Sequence, residues 1–450
     1  MELAGVRATS REAEMADTKS SGRPRRLVAA TLAMGLISTA YVLPARAGSE
    51  ERAQRNSITI SSDREFNPAN GVRKGSGTRR DPYVISGWET SSITIRDTGA
   101  HVLITDNDVD RLTLNWNGPG VTVVDNTVGD LRVNQNVKRT GAATGGLIAD
   151  NRFEIVGQLR HFDGNFENNV VTGRPSYGGV FSDKSVQFDG FHGSKFRNNT
   201  IRGWVEVRLH GHHHGSSFDS GSHHHGQSHA GHDMATVDHT KRYHEVWVTG
   251  NRIEATGPYA LLYTDTAHVA NDRTAASEEN KKLNEPHRHW TRVHLTNNRL
   301  VGAGLTVDVF NAKDERHLGT ETGLVDIRGN KITLERDLDD NLWNRKEGIL
   351  IQRAQDVVVK VDANTISGES AEQRDLLDEQ FAYDSGILLE DVDKADVYLT
   401  DNLVTDLLYG IRASHMSKEV HWWISGLRTS GVEQSVYYDN TVANQPRRRS

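Results

Sequence analysis

Eleven of the 21 histidines in this 450-residue chain fall between residues 210 and 244. Gly and Ser fill most of the gaps between them, which predicts a surface loop inserted between two regular elements. Neutral imidazole is the commonest protein ligand for zinc, copper and nickel, so such clustering favours metal binding. The predicted metal ligands are His210, His212, His213, His214, His223, His224, His225, His229, His232 and His239. Two alternatives stay open: a solvated low-complexity loop, and a cluster that gains charge between about pH 7 and 5.

A second set of reactive side chains lies in two later insertions. One follows Leu261–Tyr263 and the other follows Leu305–Val307. The candidate catalytic residues are Asp265, His268, Asp308, Asp314, Arg316 and His317, and Arg353, Arg412 and His415 are candidates from later in the chain. Paired carboxylates with His and Arg suit glycoside hydrolysis, and an Arg or Lys base with calcium held by Asp suits a uronide lyase. A solvated charged face, or a glycan-binding surface with Trp290, Trp422 or Trp423 as platforms, would explain the same residues.

The elements that must position these side chains are indicated by a short repeat. Eleven units share the order apolar, two variable residues, Asn, one variable residue, apolar. The repeat asparagines are Asn107, Asn126, Asn151, Asn169, Asn199, Asn251, Asn298, Asn330, Asn364, Asn402 and Asn440. Alternation before each Asn predicts a strand with one buried face. Since the alternation breaks at the Asn, the chain must turn there to keep both apolar residues inside.

Stacking of these units predicts an all-β, single-stranded, right-handed parallel β-helix of about 12 coils. Asn tolerates the left-handed conformation that a one-residue corner needs, and stacked corners would bring the Asn amides into a ladder. The insertions after Tyr263 and Val307 begin at the same phase of the repeat, so we expect them to be neighbours in space.

The chain boundaries follow from composition. Residues 1–47 are predicted to be a secretion signal, with Arg23, Arg25 and Arg26 before an apolar run and cleavage near Ala47. Residues 48–100 are predicted to form an N-terminal cap and first coil, residues 101–442 the repeats with the His-rich insertion at 210–239, and residues 443–450 a basic tail. We therefore expect a secreted or periplasmic protein without a membrane span after cleavage.

The repeats LITDNDV, VVDNTV, FRNNTI, LTNNRL and LTDNLV resemble those of right-handed parallel β-helix proteins. The opening Glu65-Phe66, Asn70-Gly71-Val72, Asp81-Pro82-Tyr83 and Gly87-Trp88 looks like that of exported NosD-like members of that superfamily. NosD is a periplasmic accessory protein for copper-site assembly, so the resemblance implies a metal-related accessory role. It covers about 350 residues. Its motifs specify a fold, because enzymes and non-catalytic proteins share such coils.

Composition excludes several classes of function. The chain has no cysteine, so disulfides, Cys-ligated zinc, iron–sulfur clusters and thiol nucleophiles are absent. After the predicted signal the formal charge is −10, which argues against a nucleic-acid partner. The sequence thus favours an exported, non-catalytic binding or accessory protein that binds zinc or copper. A polysaccharide lyase, a glycoside hydrolase or a glycan-binding protein is the alternative, and the partners would be a metal ion, a cell-surface glycan or another exported protein.

Overall fold

Apolar residues alternate with polar ones on both sides of each repeat Asn, and each alternating run forms a short strand. In the computed structural model of the chain, the described residues form 34 strands that stack in two sheets, and every pairing between these strands is parallel. The structure describes residues 52–115, 117–118, 120–134, 146–162, 164–173, 184–190, 193–210, 243–255, 259–266, 290–309, 323–335, 347–355, 357–368 and 385–448. All of them belong to the compact unit Glu51–Ser450. This arrangement is the predicted parallel β-helix.

Each coil contributes to three faces in turn. The first face is the 13-stranded sheet. Its strands are β2 (Tyr83–Ser86), β4 (Val102–Thr105), β6 (Val121–Val124), β8 (Leu147–Ala149), β10 (Asn165–Glu167), β13 (Ser194–Arg197), β16 (Tyr243–Thr249), β19 (Trp290–Thr296), β22 (Gly323–Arg328), β25 (Val357–Asp362), β28 (Asp396–Thr400), β31 (His421–Ser425) and β34 (Arg447–Arg448).

The second and third faces are joined in a 21-stranded sheet. The long strands β1 (Ala53–Ile60), β3 (Trp88–Arg96), β5 (Asp108–Asn115), β7 (Thr127–Asn134) and β9 (Arg152–Phe162) run across both faces. The second face then continues through β11 (Val170–Val171), β14 (Thr200–Arg202), β17 (Arg252–Glu254), β20 (Arg299–Gly302), β23 (Lys331–Leu334), β26 (Thr365–Ser367), β29 (Leu403–Thr405) and β32 (Arg428–Ser430). The third face continues through β12 (Lys184–Gly190), β15 (Trp204–His210), β18 (Leu261–Thr266), β21 (Leu305–Val309), β24 (Ile349–Gln352), β27 (Ser385–Glu390), β30 (Tyr409–Ser414) and β33 (Gln434–Tyr438).

The apolar residues of the repeat form one continuous core. In the unit around Asn107, Ile104 is 0% and Val109 is 1% exposed, and the corresponding residues of the next nine units are equally buried. The strand spacing of about 4.8 Å brings each such residue against its equivalents in the coils above and below. The core is therefore built coil upon coil, and no disulfide is needed to hold it.

A ladder of ten buried asparagines lies between the first and second faces. They are Asn107, Asn126, Asn151, Asn169, Asn199, Asn251, Asn298, Asn330, Asn364 and Asn402, and they are 0–3% exposed. The backbone N–H of each Asn except Asn402 donates to Oδ1 of the Asn in the next coil at 2.9–3.0 Å. The side-chain Nδ2 donates to that same Oδ1 and to a backbone carbonyl of the preceding coil, as Asn298 does to Asn330 and Val248. The predicted amide ladder is confirmed.

The sequence predicts the left-handed corner at the ladder Asn. The structure instead places it at the residue before that Asn. Those residues are Asp106, Asp125, Asp150, Asn168, Asn198, Gly250, Asn297, Gly329, Ala363 and Asp401, with φ between 51° and 69°. Nine of the ten are Asp, Asn or Gly, the residues that tolerate this conformation best, and the tenth is Ala363. The ladder Asn can then point inward, where its amide meets the neighbouring coils.

Both ends of the ladder are occupied by apolar residues. Trp88 stands in the ladder position of the first coil, and its backbone N–H donates to Asn107 Oδ1 at 3.1 Å. Leu427 stands in that position of the last coil, beside Asn402. We number the coils from Trp88 as coil 1, through the ten asparagines as coils 2–11, to Leu427 as coil 12. The expected 12 coils are present.

The eleventh predicted unit, around Asn440, is wrong. Asn440 is exposed, and Tyr437, predicted to face inward, lies on the third face opposite Arg412. The unit matched the pattern by chance, because its strand β33 belongs to a different part of the coil. The real ladder position of that coil holds Leu427, which the Asn signature cannot detect.

The two ends of the rod are closed differently. At the N-terminal end, β1 pairs with β3, two short 3₁₀ helices (Asp63–Glu65 and Pro68–Asn70) follow, and the Phe66 ring stacks on Tyr83 with a centroid distance of 4.4 Å. The predicted cap therefore already contains the first strands of the solenoid. At the other end, Arg447 and Arg448 of the predicted basic tail form β34 and pair with Trp423 and Ile424. The predicted signal, residues 1–47, lies outside the described residues.

Candidate functional site

The third face is the part of the rod from which most long insertions depart. Residues 211–242, 267–289 and 310–322 follow β15, β18 and β21, and residues 174–183, 336–346 and 369–384 precede β12, β24 and β27. The insertions therefore attach along both long edges of this face in coils 5–10. The register Leu261↔Leu305 and Asp265↔Val309 confirms that the second and third of these insertions begin on adjacent strands.

Outward side chains on the third face are more buried than an open sheet surface would allow. Two rows point outward, and neighbouring coils supply one residue each to every row. Leu350 and Leu388 on one row are only 2% and 3% exposed, and Asp308 on the other is 4% exposed. The middle of this face is thus a covered surface of polar and apolar side chains, whereas outward residues of the second face, such as Arg252 and Arg299, are exposed.

Asp308, a predicted catalytic residue, is fixed by two neighbours from the next coil. Arg353 Nε donates to Asp308 Oδ1 at 2.9 Å, and the other guanidinium nitrogen contacts Oδ2. Gln352 Nε2 donates to Oδ2 at 3.3 Å. A bidentate Arg–carboxylate pair is strong and fixes the orientation of the carboxylate. Asp308 is therefore suited to a structural or electrostatic role more than to proton donation.

Glu206 in β15 forms a second covered ion pair on the same face. It is 3% exposed, and Arg208 Nε donates to its Oε1 at 2.6 Å. The pair lies on the strand from whose end the His-rich segment departs. The charge of this carboxylate is neutralised on its own strand, as burial of a charge requires.

The open end of the third face, in coils 10–12, carries a different polar cluster. Thr441 N–H donates to Asp439 Oδ1 at 2.9 Å, and the Thr441 hydroxyl also donates to this oxygen. Burial alone would raise the pKa of the Asp439 carboxyl, but the Thr441 hydrogen bonds and the positive charges of His415 and Arg412 hold it below its usual range. The His415 Nδ1 lies 3.9 Å from Asp391 Oδ1. Arg412 and His415, two predicted residues, thus meet in one cluster with carboxylates.

The remaining predicted site residues lie wholly or partly outside the described residues. Asp265 lies in β18 opposite Val309, but its side chain is outside the described part, as is that of His210 at the end of β15. Also outside are His268, Asp314, Arg316 and His317, and the metal candidates His212, His213, His214, His223, His224, His225, His229, His232 and His239. Their predicted roles remain predictions.

Two of the three tryptophans predicted to stack on a sugar make other contacts. Trp422 points into the core at 1% exposure, and its Nε1 donates to the Asn444 carbonyl at 2.8 Å. The Trp423 ring stacks on Tyr398 with centroids 4.6 Å apart, and Arg447 lies 5.7 Å from the other side of the ring. Both ring faces of Trp423 are occupied, so this pair does not offer a free stacking surface. The Trp290 side chain lies outside the described residues.

The first face carries a cluster that the sequence analysis missed. His294 Nε2 lies 3.0 Å from Glu245 Oε1, and His294 Nδ1 lies 3.3 Å from Asp326 Oδ2. The imidazole also stacks on Trp247 with centroids 5.7 Å apart. These residues are 49 and 32 positions apart in sequence and meet only because β16, β19 and β22 are adjacent. Knowledge of the strand register would have been needed to predict the cluster.

The described residues contain no group of three or more His, Cys, Asp or Glu side chains arranged to hold a metal ion. Within the same residues, no helix is long and apolar enough to cross a membrane. Comparison of the chain with protein-family models, curated proteins and solved structures finds no match. Function must therefore be argued from the chemistry of this chain alone.

Proposed function

We propose that this protein is an exported, non-catalytic β-helix scaffold that binds divalent transition-metal ions through the His-rich segment at residues 210–239. Zinc and copper are the expected ions, and nickel would bind the same imidazoles. The observation that carries the proposal is the density of ligands in one insertion, ten histidines between His210 and His239. The accessory role implied by the NosD-like resemblance agrees with it, with another exported protein as the recipient of the metal or as the partner.

The way the segment is attached supports this proposal. It leaves at the end of β15, which pairs with β12 and β18, and the chain resumes in β16, which pairs with β13 and β19. Both attachment points are therefore inner strands of continuous sheets. A segment tethered at both ends keeps its ligands at high effective concentration, which favours multidentate binding.

The ion pairs of the third face support the non-catalytic part of the proposal. Glu206 is neutralised by Arg208 and Asp308 by Arg353. An acid–base pair needs carboxylates whose protons can be exchanged with substrate. Salt-bridged, buried carboxylates are better suited to stabilising the strands from which the insertions depart than to exchanging protons with a substrate.

Calorimetric titration of the mature chain with Zn²⁺ and Cu²⁺ tests the metal proposal. We expect more than one site with a dissociation constant at or below about 1 µM, corresponding to about −8 kcal/mol per site. Replacement of the ten segment histidines by Asn should abolish these sites. A matched variant with His294, His415 and His421 replaced by Asn should keep them. Equal heats from the two variants, or no heat from the unmodified chain, would refute the proposal.

One observation favours a second candidate, a carbohydrate-active enzyme on the third face. Asp308, Gln352 and Glu390 occupy the same register position in three consecutive coils. The two carboxylates are thus two strand spacings apart, about 10 Å, close to the separation that inverting glycosidases use. We propose the polysaccharide lyase or glycoside hydrolase reaction as the alternative function of this site.

A depolymerisation screen with neutral and acidic polysaccharides separates the candidates. If the alternative holds, the unmodified chain cleaves one substrate class, and Asp308→Asn and Glu390→Gln each lower the rate by at least about 100-fold. Asp362→Asn on the first face is the control and should leave the rate unchanged. Cleavage that survives both third-face variants would place the activity elsewhere.

A further inference from the structure

The second face presents a long, exposed row of side chains directly after the ladder positions. From coil 1 to coil 9 the row reads Glu89, Asp108, Thr127, Arg152, Val170, Thr200, Arg252, Arg299 and Lys331. We call it the second-face row. All of its members except Thr127 are exposed. With one residue per coil, the row extends for about 40 Å along the rod.

Charge is segregated along this row. Its N-terminal end is acidic, with Glu89 and Asp108, and its other end is basic, with Arg252, Arg299 and Lys331 in three consecutive coils. Like charges on adjacent strands repel each other and destabilise a sheet. Within the described part of the chain, Asp108 is paired with Arg52 and Arg252 with Glu254, whereas Arg299, Lys331 and Glu89 form no ion pair that would offset this repulsion.

An exposed apolar residue lies in the middle of the row. Val170 in coil 5 is 37% exposed. Among the described residues, Tyr438 is the one other large hydrophobic residue exposed to that degree. Val170 has four row positions on each side of it, the acidic end on one side and the basic end on the other.

We propose that the second face binds a second copy of this chain, with the two rods antiparallel and a two-fold axis running along β11. Such an axis places coil 5 against coil 5, coil 4 against coil 6, and so on to coil 1 against coil 9. Val170 then meets its own equivalent at the centre of the contact. Asp108 faces Arg299 and Glu89 faces Lys331, and symmetry forms each pair twice.

The remaining positions of the second-face row fit this arrangement. Arg152 in coil 4 faces Thr200 in coil 6, and Thr127 in coil 3 faces Arg252 in coil 7. No two like charges oppose each other anywhere along the row. Complementary potentials of this kind fix the register of an interface.

Shifting the axis by half a coil weakens the complementarity. A shift towards the C-terminal end places Arg152 opposite Arg252. A shift towards the N-terminal end keeps Glu89 opposite Arg299 and Asp108 opposite Arg252, but it places Asp110 opposite Glu254, two residues further along β5 and β17. Each shift also moves Val170 away from its equivalent. The charges of both outward rows, together with the exposed Val170, therefore favour coil 5 as the position of the axis.

The contact would be long and one or two side chains wide, so it belongs to the weak, reversible class of interfaces. Its exposed charge pairs are screened by salt, because the Debye length falls from about 10 Å at 0.1 M to about 3 Å at 1 M. We expect a monomer–dimer equilibrium that shifts towards monomer as salt is added.

Analytical ultracentrifugation of the mature chain tests the proposal with a charge swap. Lys331→Glu and Glu89→Lys should each weaken the dimer at least tenfold, since each places like charges together twice. The variant carrying both substitutions should recover most of the affinity. Arg428→Glu, at the corresponding position of coil 12 beyond the contact, should have no effect. A monomer at every concentration, or a double variant as weak as the single ones, would overturn the proposal.

Crosslinking gives an independent measurement, helped by the absence of cysteine from the chain. Val170→Cys places one thiol beside the axis, and a short bismaleimide should then join two copies in high yield. Thr365→Cys in coil 10 is the control, because the axis would hold its two copies about 48 Å apart. Equal yields from the two variants would contradict the antiparallel arrangement. Thermal unfolding of each variant verifies that the fold is retained.

Discussion

At the scale of single residues, the ladder Asn is the most heavily bonded side chain of the coil. Its Oδ1 accepts two hydrogen bonds from the preceding coil, and its Nδ2 donates to the next Asn and to a carbonyl. A buried site that makes this many hydrogen bonds selects its side chain by length as well as by polarity. Gln would be too long for the site, and Asp would present no donor.

Asn298→Ala is expected to lower the free energy of unfolding by about 2–4 kcal/mol, because several buried polar groups lose their partners. Those groups are the N–H and Nδ2 of Asn251, the Val248 carbonyl and Asn330 Oδ1. Urea unfolding measures the change. Asn440→Ala, outside the ladder and exposed, is the matched control and should change stability by less than about 0.5 kcal/mol.

The corner residues add a second effect at this scale. Asp106, Asp125 and Asp150 stand before the ladder Asn in three consecutive coils. Partial burial of Asp125 and the negative charges of Asp150 and Asp106 raise the pKa of its carboxyl. The folded state therefore holds this proton more tightly than the unfolded chain does. The resulting stabilisation is present at low pH and is lost as pH rises through the raised pKa.

Asp125→Asn should consequently raise the melting temperature at neutral pH, and the advantage should vanish as the pH falls below the carboxyl range. Asp439→Asn is the control of opposite sign. Because the pKa of Asp439 is lowered in the fold, its ionised form stabilises the protein above its unfolded pKa, and that stabilisation is lost as the pH falls through the lowered value. Asp439→Asn should therefore lower the melting temperature at neutral pH. Parallel shifts of the two variants with pH would contradict this account.

At the scale of the element, the third face differs from the other two by being covered. Leu350 and Leu262 occupy the same outward row, two coils apart. Leu350 is 2% exposed, whereas Leu262 is only partly buried. An outward strand position is normally solvated, so the burial of Leu350 marks the covered centre of the face.

Leu350→Ala is expected to cost about 2–3 kcal/mol of unfolding free energy, since a buried side chain is truncated and a cavity is left. Leu262→Ala should cost about 1 kcal/mol or less, because that side chain already contacts water. Chemical denaturation of both variants compares them directly. A larger loss of unfolding free energy for Leu262→Ala than for Leu350→Ala would contradict the conclusion that the covered centre of the face lies at Leu350.

At the scale of the whole molecule, stability follows from contacts between neighbouring coils, so the ends should open first. In the last coil, Leu427, Val432, Val436 and Val442 are only partly buried, whereas the inward residues of the central coils are close to 0% exposed. The C-terminal end is therefore less completely closed than the middle of the rod.

Amide hydrogen exchange should therefore be faster in β32 and β33 than in β20 and β23, which lie in coils 8 and 9. Mass spectrometry of peptides from these strands provides the measurement. The protection should decrease from coil 9 towards coil 12 in a graded way. Uniform protection along the rod would instead indicate a single cooperative unit.

Much of this architecture could be predicted from sequence, for a physical reason. An Asn with an apolar residue three positions before it and another two after it recurs in coils 2–11, so ten of eleven units were placed correctly. The predicted unit around Asn440 was wrong because a chance match to the repeat pattern looks the same in sequence as a real unit. The corner was misassigned because Asn and Asp both tolerate left-handed backbone, so in Asp106-Asn107 the pattern does not say which residue turns.

The candidate site was less predictable because it depends on distances between coils. Asp308 and Arg353 are 45 residues apart and meet through the pairing of β21 with β24. The length of the intervening insertion hides this neighbourhood from any local pattern. The same is true of His294 with Glu245 and Asp326. The register of the strands decides which side chains meet on a solenoid. That register can be assigned only when the start and end of each coil are known.

The hydrogen bonds that link one ladder Asn to the next all run in one direction. From Trp88 to Asn402, the donors of each residue reach Oδ1 of the Asn in the next coil, and each Oδ1 accepts from the preceding coil. Every inner coil therefore offers the same pair of contacts on its two sides, whatever its other residues are. Excising the segment from residue 108 to 126 would join Asn107 to Asn151 with the same bonds that Asn126 now makes. The length of this rod is thus a modular property, and whole coils can be duplicated or lost in evolution without redesign of their neighbours.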